Sequence, residues 1–212
     1  MSPTGIREQK KSKRYKGIVL TAEKLFLEYG LDTVQMQDVA DAEGIGIATL
    51  FRYFPKKDKL IVAVAVNNLA NNVEHFEKIA STNVSSFERV EQILDYLMEH
   101  STNPLSKSMK FREAFESYAS FAQKPLDDIE DYLDIQKIIT QILMKIIEDG
   151  KVDGSIRSNV PVKEALITII NAFGNFGSNI ALKAPISYLE EDVAPVIQQT
   201  LLKEMLLSYI RP

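Results

Sequence analysis

The chain has 212 residues, 45% of them hydrophobic, with 25 Lys+Arg against 29 Asp+Glu and a formal net charge of −4. That length allows one or two domains and a sizeable core, and the absence of cysteine excludes disulfides, thiolate metal ligands and cysteine nucleophiles. No N-terminal apolar run reads as a signal peptide and no stretch of about 18 apolar residues reads as a membrane span, so a cytoplasmic chain without a membrane partner is expected.

The charge is uneven along the chain. Residues 1–60 hold a balance of +3 and the remainder −7. Within the first 16 residues Arg7, Lys10, Lys11, Lys13, Arg14 and Lys16 face only Glu8. A basic arm of this kind suits phosphate contact or minor-groove insertion, and it also fits a solvated terminus. Residues 1–9 are assigned to the solvated terminus, and Lys13, Arg14 and Lys16 to phosphate contact. An acidic remainder repels DNA and directs such contact to the N-terminal part.

Tyr15 to Tyr29 reads as an amphipathic helix with Ile18, Ala22, Leu25, Phe26 and Tyr29 on one face. Gly30 ends it, and Thr33 offers a side-chain oxygen to cap the next helix. The run MQDVADAEGIGIATLFRYFP, residues 36–55, then reads as two short helices joined by a glycine turn. Val39 and Ala40 share a face, and Ala40 is small enough for the second helix to cross closely. Gly44 can end the first helix in a left-handed conformation without a Cβ clash. Ile45 anchors the turn, and Leu50 and Phe54 continue the apolar stripe. Ile47, Ala48, Thr49, Arg52 and Tyr53 are left to face outward, a set that offers methyl groups, hydrogen bonds and one cation to a DNA groove. A plain helical hairpin with a glycine turn fits the same residues.

Pro55 stops the second helix, and Lys57-Asp58-Lys59-Leu60 opens a long one through Ala80. Ser85 and Glu88 have capping-box spacing for a helix through about His100. Pro104 to Gln123 and Pro125 to Asp149 follow, the latter with Gly150 as its stop. VDGSIRSNV reads as a loop, and Pro161–Leu182 and Leu189–Ile210 as the last two helices. The class is all-α with about nine helices. In the last two, Leu166, Ile170, Phe173, Gly177 and Ile180 form one stripe, and Val193, Ile197, Leu201 and Met205/Leu206 another. They suit a four-helix bundle between two subunits, or packing within one. Phe76, Tyr96, Met109, Phe115, Tyr118, Met144, Asn171 and Phe173 are candidates to line a ligand cavity, and each also fits a plain core.

The two histidines lack a His or Cys at metal-ligand spacing. The acidic run Asp127, Asp128, Glu130, Asp131 and Asp134 places three aspartates on one helical side. After Pro125 it fits a helix beginning, where negative charge meets the dipole, better than a metal site. No metal, no cofactor and no catalytic residue is assigned, so an enzyme is not expected.

The stretch TVQMQDVADAEGIGIATLFRYFPKKDKL, with Ala22, Phe26 and Gly30 before it, resembles the TetR-like bacterial transcriptional regulators over about residues 13–62. The matching positions run from Thr33, Val39, Ala40, Ala42, Gly44 and Ile45 through Thr49, Leu50, Tyr53, Phe54, Lys57 and Leu60. Two positions depart from the family: Gly46 stands where Ser or Thr is usual, and Phe51 where Tyr is usual. Each change removes a hydroxyl that could meet a phosphate. The resemblance implies a head of residues 1–58 and a ligand-binding and dimerisation part of residues 59–212. It implies a homodimer released from a palindromic operator by a small-molecule effector. Thr33, Gly46, Ile47, Ala48, Thr49, Phe51, Arg52, Tyr53 and Lys57, with Lys13 and Arg14, are then the DNA-contacting set. An activator of the same fold is the first alternative, and a metal-dependent helical enzyme using the Asp127–Asp134 run is the second.

Overall fold

A computed structural model describes residues 3–102, 107–161, 163–165, 167–169, 171–173, 176 and 194–212. Among them the regular elements are helices: α1 (Pro3–Tyr29), α2 (Met36–Glu43), α3 (Ile47–Tyr53), α4 (Lys57–Ala80), α5 (Ser86–Thr102), α6 (Lys107–Phe121), α7 (Ile129–Asp153) and α8 (Pro195–Ile210). The described residues between 163 and 176 are helical as well. The expected all-α class is therefore met. No helix among the described residues is long and apolar enough to cross a membrane.

Packing gathers the chain into two units. One comprises Met1–Ala70 and Phe111–Asp134, the other Asn71–Lys110 and Ile135–Pro212. The unit that holds the helix-turn-helix is thus larger than the 1–58 head read from the sequence. Its buried side chains explain why. Ile18, Ala22 and Phe26 of α1, Val39 and Ala40 of α2, and Leu50 of α3 share one apolar cluster with Leu60, Ile61 and Val64 of α4 and Phe111 and Phe115 of α6. At about 1.5–3 kcal/mol for each large apolar side chain buried, three helices alone would forgo the contribution of α4 and α6.

Glycines set the turns of this unit. Gly30 has φ 87° and its N–H donates to the Phe26 carbonyl at 2.9 Å, closing α1. Gly44 has φ 69°. Its N–H donates to Asp41 at 3.1 Å, and the Ile45 N–H reaches back to Ala40 at 2.9 Å. This paired arrangement satisfies the last carbonyls of α2 and delivers Ile45 to the core. At the start of α2 the Asp38 carboxylate accepts from the Gln35 N–H at 2.7 Å. The expected cap by Thr33 is therefore not made; Thr33 is exposed, and its carbonyl accepts from the Gln35 side chain.

The second unit is knitted at the start of α5. The capping box forms, with Glu88 accepting from the Ser85 N–H at 2.9 Å and from its hydroxyl at 2.7 Å. Asp153, at the end of α7, accepts from the Ser86 N–H at 3.2 Å and hydroxyl at 2.9 Å, and Ser155 Oγ accepts from the Phe87 N–H. These long-range acceptors satisfy N–H groups that the first turn of α5 leaves open. On α8, Lys203 pairs with Glu91 and Asp95 of α5.

Two expected boundaries move. Gly150 does not end its helix but lies inside α7, which stops at Gly154 with φ 76°. A Cβ on Gly150 would stand 2.5 Å from Ile156 Cδ1, so this glycine serves a close approach and not a stop. The helix expected from Pro125 begins at Ile129, because Asp128 turns left-handed at φ 65° just before it. Asp127 and Asp128 precede the helix and pair with Lys56 and Lys59 at the start of α4, within the same unit.

Candidate nucleic-acid interface

Helix α3 is short because its signals crowd together. Gly46 precedes it in an extended conformation (φ −67°, ψ 143°), and its carbonyl accepts from the Thr49 and Leu50 N–H groups at 2.8 and 3.2 Å. Phe54 closes it by donating to Leu50 at 2.9 Å, and Pro55 cannot extend it. Leu50 is wholly buried and Phe54 nearly so, which fixes the rotation of the helix. Gly46, Ala48, Phe51 and Arg52 are then exposed.

Other positions are less open than the sequence suggests. Ile47 and Tyr53, expected to face outward, are half-buried against the apolar cluster, and Thr49 is half-buried. Seven residues give scarcely two turns, so the two ends of α3 must touch the support if Leu50 does. Arg52 donates to Thr49 Oγ1 at 3.4 Å, a long contact that two expected base-facing residues make with each other.

Around α3, Lys57 is half-buried and its ammonium donates to the Asp32 carbonyl at 3.2 Å. Burial holds its pKa below the usual lysine range, with Asp32, Asp58 and Asp38 pulling the other way. The expected basic arm is helix, since α1 begins at Pro3; Lys13, Arg14 and Lys16 lie exposed along it. Arg14 stands 3.9 Å from Glu43 at the end of α2. Glu43 also accepts from the Thr21 hydroxyl at 2.6 Å, in space left by the missing side chain of Gly17. Glu43, Gly17 and Asp38 thus brace α2, and the sequence reading passed over them. Asp38 three residues after Gln35 carried a capping-box spacing that was there to be found.

The candidate ligand-lining residues do not gather in one place. Phe115 is buried beside Phe111 and Tyr132 in the helix-turn-helix unit, and Tyr118 of the same unit donates to Asp58 at 3.0 Å. Burial and that bond push the Tyr118 hydroxyl up to about 12. In the other unit Phe76 meets Tyr96 edge-on, Tyr96 stacks on His75 and donates to Asn72 at 3.0 Å, Met144 is half-buried and Phe173 is buried. Asn171 is exposed, so it is not a cavity wall of its unit. The Met109 side chain lies outside the described residues, as do Leu166, Ile170, Gly177, Ile180 and Val193 of the association stripes. Phe173, placed in both sets, belongs to the core, whereas Ile197 and Leu201 are 47% and 57% exposed. Among the described residues no three His, Cys, Asp or Glu side chains are grouped to hold a metal ion, and two aspartates of the acidic run are taken up by lysines.

A family model described as bacterial regulatory proteins, tetR family, matches residues 18–64, the stretch from α1 into α4. The chain carries a TetR-like helix-turn-helix head. It is similar to an HTH-type transcriptional regulator of Staphylococcus aureus (strain USA300), 36% identical over 78 residues, which are 37% of this chain and 42% of that protein. The same match recurs in strain N315. The chain thus spans less than half the length of the curated relatives it matches. Over nearly its whole length it has the fold of the fatty acid degradation regulator FadR from Bacillus halodurans. That likeness has TM-score 0.70 and 15% identity, over 93% of this chain and 100% of the other. FadR from Bacillus subtilis in complex with stearoyl-CoA has it too, with TM-score 0.64 and 18% identity, over 93% and 100%. The TetR-like fold therefore extends through α4–α8, where the sequence match has faded.

Proposed function

We propose that this protein is a homodimeric, ligand-responsive transcriptional regulator, a repressor that leaves a palindromic operator when a small molecule binds within residues 59–212. The observation that carries the reading is α3: a helix anchored by Leu50 and Phe54 with Ala48, Phe51 and Arg52 exposed, inside a segment that matches a DNA-binding family. Gly46, Ala48, Phe51 and Arg52 meet the groove and its walls, with Thr49, Ile47 and Tyr53 at the edges. Lys57, Thr33, Lys13 and Arg14 meet phosphates.

A fold neighbour's complex with stearoyl-CoA supports an effector site in this chain. The aromatic pair Phe76 and Tyr96, with Met144 and Phe173 in the same unit, is the proposed place for it. Support for the dimer comes from α8, where Ile197, Leu201 and Met205 recur every four residues and are 47%, 57% and 61% exposed. A second copy would cover that stripe and set two α3 helices about 34–36 Å apart, one helical turn of DNA. Effector and operator then compete by linkage, each lowering affinity for the other by the same factor.

The test is a gel shift of the purified chain on DNA upstream of its own gene, followed by sequencing of genomic fragments it retains. A palindromic consensus is the expected result. Failure to retain any duplex at low salt overturns the reading.

A further inference from the structure

Within the helix-turn-helix unit lies a cleft of about 600 Å³ between the α1–α2 turn, the first turn of α4 and the end of α6. Leu31 and Leu126, both buried, form its apolar base. Two carboxylates, Asp32 and Asp58, line it against one ammonium, Lys124. The other lysines at the start of α4 are engaged: Lys56 by Asp127, Lys59 by Asp128 and Lys57 by the Asp32 carbonyl. The lining therefore keeps an excess of negative charge.

Two aromatic rings complete it. Tyr118 is fixed by its hydrogen bond to Asp58, which orients both the phenol and the carboxylate. Phe121 is 86% exposed although it lines the cleft. It falls off the stripe of Phe111, Phe115, Tyr118 and Ala122 that faces the core, so packing of α6 does not explain a phenyl ring here. An apolar base, aromatic faces and unbalanced carboxylates together select a weakly hydrated cation with an apolar body; ring faces attract such cations electrostatically. A hard metal ion would need oxygen ligands where this cleft offers hydrocarbon.

We propose that this cleft is a binding site for a small amphipathic organic cation, held by Asp32 and Asp58 and covered by Phe121. The site shares Tyr118 with the candidate effector residues but does not depend on DNA binding. A ligand there would lie against the α1–α2 turn that Lys57 fastens.

The test is isothermal titration of the full chain with three probes of similar size: benzyltrimethylammonium, benzyl alcohol and benzenesulfonate. Saturable binding of the cation is expected, at least about tenfold tighter than the alcohol, with no heat from the sulfonate. Asp32→Asn and Phe121→Ala, both at exposed positions, should each weaken the cation by about tenfold or more with an unchanged melting temperature, and Asp32→Glu should restore part of the loss. Met144→Ala, in the other unit, should leave it unchanged. Equal binding of all three probes overturns the proposal. So does cation binding that survives Asp32→Asn and Phe121→Ala, or no binding at millimolar cation. Because no DNA enters the measurement, its failure is separate from failure of the gel shift.

Discussion

Arg52 and Lys57 stand near each other in the chain but have different surroundings, and their substitutions should be told apart by experiment. Arg52 is exposed on α3 and held only by a 3.4 Å contact to Thr49, so little is lost when it turns to a base edge. Arg52→Ala is expected to cost about 1–3 kcal/mol at particular operator positions and little at others. An operator mutation scan checks this, and a uniform loss would make Arg52 a backbone contact. Lys57→Ala is expected to weaken all duplexes alike and to lower the slope of log affinity against log salt by about 1. Should affinity fall with the slope unchanged, Lys57 acts through the Asp32 carbonyl it already holds. At this scale the sequence was legible wherever a signal is local. Gly44 and Ser85–Glu88 do what their spacing says, since a left-handed cap and a capping box need only a few neighbouring residues. Thr33 misled because Gln35 and Asp38, two and five positions on, serve α2 instead.

Helix ends show where local reading stops working. A glycine after a long apolar period is a fair stop signal, yet Gly150 is interior and Gly154 is the stop. What distinguishes them is Ile156, which folds back so that its N–H donates to the Gly150 carbonyl at 2.9 Å and its side chain fills the space of a missing Cβ. That contact is tertiary, so no spacing rule reports it. Gly150→Ala is expected to destabilise the fold by about 1–3 kcal/mol through overpacking, offset in part by the better helix propensity of alanine. A shift of the urea midpoint at constant slope would measure it. The joint between α7 and α5 carries a pH dependence. Bonds from the Ser155 side chain and backbone, then from Ser86, hold the Asp153 carboxyl down at about 2, against 3.8 ordinarily. A depressed carboxyl gives stability that is complete above about pH 4 and is lost as pH falls toward 2. Unfolding followed at pH 7 and pH 3 should show a smaller acid loss in Asp153→Asn than in the natural chain. An identical acid loss in both would assign it to other carboxylates.

For the whole molecule, periodicity told buried positions from exposed ones but not which core they join. Phe115 and Tyr118 sit at helical spacing as expected, yet they pack with the helix-turn-helix and not with Phe76 and Tyr96. The all-α class and the α3 anchor were legible because each rests on repeated or adjacent residues. The grouping of α6 with α1–α4 was not, because it depends on contacts between segments some fifty residues or more apart. The exposed stripe on α8 leads to a measurable outcome. Leu201→Glu together with Met205→Glu is expected to halve the mass seen by sedimentation and to weaken operator binding, since charged side chains would be forced into an apolar contact. An unchanged mass would place the subunit contact elsewhere or remove it.

The sharing of one apolar cluster among α1–α4 and α6 bears on how freely such a regulator can be recombined. Residues 1–58 grafted onto a foreign sensor would bring Ile18, Phe26 and Leu50 without the Phe111 and Phe115 that seal them. A working chimera would have to carry residues 111–134 along, or supply aromatic substitutes from the new host. Recognition is therefore inherited with a piece of the sensing half, and a swap made by cutting the chain at a single point leaves a bare core.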